Sequence, residues 1–72
     1  MDQLHLIVAP SDRGWEVKGN GDRIEEFATR TEAQDAAMAL ACEVKANGRA
    51  VSVWEREPSG RLVEARSFSG LG

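Results

Sequence analysis

One stretch decides most of what this chain can become: Phe27-Ala28-Thr29-Arg30-Thr31-Glu32-Ala33, with the alanine-rich run that follows it to Asn47. It opens on two overlapping capping boxes, Thr29 with Glu32 and Thr31 with Gln34. In each, a threonine oxygen accepts from an orphan amide while the later side chain reaches back. Thr29 is the better start, because Glu32 then lies in the first turn, where negative charge suits the helix dipole. Asn47-Gly48 is the stop, since glycine readily takes the left-handed conformation that ends helices. At helical pitch Ala33, Ala36, Ala37, Leu40 and Val44 share one face, with Ala41 on its flank. Glu32, Asp35, Glu43 and Lys45 lie elsewhere. Met38, Cys42, Ala39 and Ala46 fall roughly opposite the apolar face, where a small domain usually carries charge. A face so rich in alanine brings the helix axis close to its support, and a sheet with large side chains is the natural complement.

The flanking segments read as such a sheet. Residues 3–9 form a first strand, with Leu4, Leu6 and Val8 on one side and Gln3, His5 and Ile7 on the other. Turn formers at residues 10–14 lead into a second strand at residues 15–18, where Trp15 and Val17 share a face. Asn20-Gly21 suits a tight primed turn. Residues 23–27 either add a third strand or lead directly into the helix, with Phe27 plugging the junction. After Gly48, residues 49–57 alternate Val51 and Val53 against Ser52, Trp54 and Arg56. Pro58-Ser59-Gly60 turns the chain, and residues 61–67 return, with Leu62 or Val63 facing the helix according to register. The fold class is therefore α+β, in the order β-β-α-β-β. One helix packs on one face of an antiparallel sheet of four strands, or five if residues 23–27 join. Met1-Asp2 and residues 69–72 read as frayed ends.

Seventy-two residues make a single domain whose core is near the lower limit for independent stability, which makes self-association an expectation. Cys42 is the only cysteine, so no disulfide staple is available. No apolar run reaches membrane-spanning length and no secretory pattern opens the chain, so a cytoplasmic protein without a membrane partner is the expectation. The formal charge is −3, and the nine basic residues are scattered among twelve acidic ones. Nucleic-acid binders concentrate positive charge on one face, so this balance argues against DNA or RNA.

These spacings resemble a known family. Gly14-Trp15-x-Val17, Phe27-x-Thr29-Arg30-x-Glu32-Ala33, the alanine-rich helix, Gly48, Val51-x-Val53 and Gly60 are similar to the small bacterial proteins catalogued as domain of unknown function twenty-one eighty-eight. The resemblance runs from about Leu6 to Phe68. It implies a β-β-α-β-β fold and no established activity, so no catalytic residue carries over. The longer hairpin turn at residues 57–60 departs from the family pattern.

Chemistry-bearing residues are few. His5, the sole histidine, has no motif partner and reads as a surface or interface residue. Cys42 lacks a second cysteine or a spaced histidine, so neither a metal site nor a thiol nucleophile follows; it reads as a small interface residue. Gly19-Asn20-Gly21 lacks the third glycine of a dinucleotide fingerprint, Ile24 standing in its place, and is a turn. Glu25 and Glu26, adjacent on a strand, face opposite ways and cannot act as an acid pair. Trp54 is the leading candidate, on the sheet face away from the helix beside His5 and Ile7. It suits a protein contact or, alternatively, a stacked base with Arg56, Arg66 and Lys18 near phosphates. The expected function is a non-enzymatic interaction module without cofactor or metal, self-associating as a homodimer through the helix-free sheet face or a strand edge. Trp54, Ile7, His5, Arg56, Met38 and Cys42 are its candidate interface residues. A bacterial or phage-encoded regulator of another protein fits the same features.

Overall fold

A computed structural model describes residues 3–68, with side chains through Ala65. Its elements are β1 (Leu4–Ser11), β2 (Gly14–Gly19), β3 (Asp22–Phe27), α1 (Arg30–Ala46), β4 (Val51–Arg56) and β5 (Leu62–Phe68). They form a five-stranded sheet in the order β3-β2-β1-β4-β5 with α1 packed on one face. The α+β class and the single helix stand as expected, and residues 23–27 do join the sheet. The ends read as frayed, residues 1–2 and 69–72, lie outside the described residues.

That third strand changes the sheet's polarity. Two hairpins make β3 run the same way as β1, and the helix then carries the chain back along the sheet. Consequently β4 enters parallel to β1, pairing Leu4 with Val51 and Leu6 with Val53. The remaining pairs are antiparallel. The sheet is thus mixed, with its one parallel pair at the centre, where a helical crossover can supply the connection.

The helix begins and ends as its sequence requires. The Thr29 hydroxyl accepts from the Glu32 amide at 3.2 Å, and Glu32 Oε1 accepts from the Thr29 amide at 3.2 Å. At the other end Gly48 takes φ +81°, its amide donating to the Lys45 carbonyl while the Arg49 amide donates to that of Val44. This pair of bonds is the Schellman arrangement. Gly14 meets a different constraint, because β2 starts hard against the end of β3. A β-carbon there would lie 2.6 Å from the Phe27 carbonyl oxygen, at a φ of +138°.

Packing moves the centre of the helix face by one position. Ala33, Ala37, Ala41 and Val44 are buried, while Ala36 and Leu40 are half-buried on one flank. Ala41 therefore belongs at the centre of the contact rather than on its edge. On the other flank Met38 packs half-buried against the core, not opposite it, and Cys42 alone of that pair is exposed. The alanines sit on Leu6, Val8, Val17, Val51 and Val53, the large residues of the sheet. Among the described residues no helix is long and apolar enough to cross a membrane.

Because this seam is close-packed, enlarging it should cost stability. Ala37→Leu is expected to destabilise by about 1–3 kcal/mol through overpacking. Thr29→Ala should cost about 1 kcal/mol by removing the cap. Urea unfolding followed by circular dichroism measures both.

Candidate functional site

The sheet face without the helix divides into two unlike halves. On the β3–β2 side it is charged. Glu16, with only 6% of its surface exposed, lies opposite Glu26 on β3 and Ala9 on β1. Its carboxylate receives Lys18 Nζ at 3.4 Å and Arg23 Nε at 3.1 Å, and Arg23 also reaches Glu26 at 3.8 Å. A carboxylate withdrawn from water needs such partners, and two cations close over it here. The face on which the sequence places Trp54, His5 and Ile7 thus also carries charge, because alternating positions of β2 and β3 project Glu16, Lys18, Arg23 and Glu26 onto it. Glu25 and Glu26 do face opposite ways, Glu25 beside Val17 and Glu26 beside Glu16.

Toward β4 and β5 the same face carries Trp54, Ile7 and Leu62 among His5, Ser52, Arg56 and Glu64, and hydrogen bonds order it. Parallel register sets His5 beside Ser52 and Ile7 beside Trp54. The Trp54 indole donates through Nε1 to Ser52 Oγ at 3.0 Å, so the ring lies back along its own strand. His5 Nδ1 meets the same hydroxyl at 2.9 Å. A hydroxyl has one proton and two lone pairs, so Ser52 can accept the indole N–H and still serve Nδ1 in either tautomer. The Ser52–His5 distance matches that of a nucleophile and its base. Ser52, however, is only 2% exposed and its oxygen is already committed to the indole. Its chemistry here is to pin two rings.

Asn20 completes the anchoring of His5. At φ +51° the turn swings its amide onto the His5 carbonyl (2.9 Å), while Asn20 Oδ1 accepts from the His5 amide (2.9 Å). The segment read as a turn is one, and it also clasps the first strand. Register answers the question left open for the last hairpin: Leu62 pairs with Arg56 and Glu64 with Trp54, which places them on the helix-free face, and Val63 pairs with Glu55 on the helix face.

Trp54, Ile7, His5 and Arg56 are thus brought together on one face. Met38 and Cys42 lie on the helix, on the other side of the sheet, and form no common surface with them. Ser52 and Glu16 were not singled out by sequence, since a serine and a glutamate at alternating strand positions read as solvated. The available signal was chemical: Glu16 stands between residues that bring Lys18 and Arg23 across one hairpin. Among the described residues no three histidine, cysteine, aspartate or glutamate side chains converge as metal ligands.

Truncating the shared hydroxyl should be costly. Ser52→Ala removes the hydroxyl that both rings share, with an expected loss of about 0.5–1.5 kcal/mol, because the exposed imidazole and half-exposed indole can turn to water. A shift in tryptophan emission should accompany it, measurable in the Trp15→Phe background.

A family model described as "Uncharacterized protein conserved in bacteria (DUF2188)" matches residues 5–68. No curated protein and no solved structure matches the chain.

Proposed function

We propose that this chain, which belongs to the DUF2188 family of uncharacterised bacterial proteins, is a non-enzymatic interaction module that forms a homodimer through the helix-free face of its sheet. The observation that supports this most directly is the pinned Trp54. Its indole is half-exposed, yet held by Ser52 beside Ile7, so little side-chain freedom remains to be lost on association. Leu62, 41% exposed, extends the apolar strip to β5. The Glu16–Lys18–Arg23 group borders it as a polar rim, the arrangement found around interface cores.

Edge pairing has less support than face packing. Register shifts leave Ile24 on β3 and Ala65 on β5 without opposite residues, and such bulges on edge strands discourage further pairing. The alternative with a stacked nucleic-acid base has little electrostatic support. Lys18 is engaged by Glu16, and Arg56 near the indole is accompanied by Glu64. Such interspersed acidic residues oppose the concentrated positive charge that a polyanion needs.

Sedimentation equilibrium tests the proposal. The unaltered chain should be dimeric, and Trp54→Ala should raise the dimer Kd roughly thirty-fold or more, the effect of removing a central aromatic anchor. A monomer at millimolar concentration, or quenching of Trp54 by single-stranded DNA at low salt, would count against it.

A further inference from the structure

The helix side of the sheet has a vacancy of its own. Five strands at a spacing of about 4.8 Å make a floor of about 19 Å between outer strands, whereas one helix is only about 10 Å wide. Here α1 packs over β1 to β4, and β5 lies at the margin. Val63, on the helix face of β5, is 40% exposed as a result. Two hollows of about 460 and 350 Å³ lie between α1 and β5, sharing Glu55 and Ala65 in their linings. Together they make a trough with Trp15, Val53, Val63 and Ala65 along it and Met38 on the helix wall.

Charge distinguishes this trough from a simple packing gap. Glu55, between the two hollows, is already matched: Arg30 pairs with it and Gln34 Nε2 donates to it at 2.9 Å. Asp35 lines one hollow and Glu57 the other, and neither carries an ion pair among the described residues. Two carboxylates without an ion pair among the described residues therefore border a narrow apolar strip along β5 beside α1. Such a surface suits an apolar stripe flanked by cations. A second copy's α1 offers no predominantly cationic stripe, because its exposed side presents Glu32, Asp35 and Glu43 beside Arg30 and Lys45.

We infer that the trough between α1 and β5 docks a basic amphipathic helix of another protein, laid beside α1, with its apolar side on Val63, Ala65 and Met38 and its cations near Asp35 and Glu57. Val63, Ala65 and Met38 lie on the opposite side of the sheet from the proposed dimer face; Trp54, whose indole projects to that face, also borders the second hollow, so the two proposals are tested with different variants.

Fluorescence anisotropy with a labelled synthetic leucine–lysine peptide of amphipathic helical spacing tests it on the full chain. The peptide should bind the unaltered protein. Binding should weaken at least roughly tenfold in the double variant Asp35→Lys, Glu57→Lys. A similar loss is expected in Ala65→Arg, which fills the floor, with circular dichroism confirming that both variants fold. Glu43→Lys, away from the trough, should bind as the unaltered chain does. Absence of binding overturns the inference, as does an equal loss in Glu43→Lys, which would signify general attraction to an acidic protein. Equal binding of a proline-interrupted peptide overturns the helical occupant.

Discussion

The close approach of α1 to the sheet is the contact on which the remaining structure depends. Ala33, Ala37 and Ala41 have no measurable exposure, and large residues of three strands, Leu6, Val8, Val17, Val51 and Val53, rise to meet them. Small residues on the helix and large ones on the sheet let a short chain fill its interior without bulky side chains on both layers. The seam has a consequence for coverage. A lone helix seated this closely shelters the middle of a five-stranded sheet, leaving β5 at the margin of the helix layer.

On the other side, the same backbone alternation serves two purposes. Near β3, Glu16 is withdrawn from water and neutralised by Lys18 and Arg23, so polar groups shield that half. Near β4, Ser52 binds the Trp54 indole and His5 together, holding a large apolar surface in one orientation. One half is satisfied internally. The other holds its tryptophan by a hydrogen bond and leaves apolar surface exposed, which is the feature that the dimer proposal draws on. The ion-paired group lies on β2 and β3, while Arg56 and Glu64 bring charge beside Trp54 and Leu62 on β4 and β5.

Legibility in the sequence followed the range of the interactions involved. The cap at Thr29 and Glu32, the stop at Gly48 and the turn at Asn20 depend on residues within a few positions, and each was readable. Trp54, Ile7, His5 and Arg56 could be assigned to one face because strand alternation is local. Met38 was misplaced opposite the core. A shift of the helix centre toward Ala41 turns it inward, and only the sheet beneath sets that rotation. Glu55 was equally unreadable as a brace, since its partners Arg30 and Gln34 lie at least 21 residues away in the chain.

By itself the sequence determined one capped helix with an alanine face, strands with assigned alternation, and an acidic chain without a concentrated basic run. All of these arise from neighbour-range sterics, capping and periodicity. Tertiary structure alone decided that β4 lies parallel to β1, that Ser52 joins His5 to Trp54, and that β5 remains at the margin of the helix layer. Those features depend on strand parity, cross-strand register and the mismatch between one helix's width and a five-stranded floor. None of these quantities belongs to any single segment of the chain.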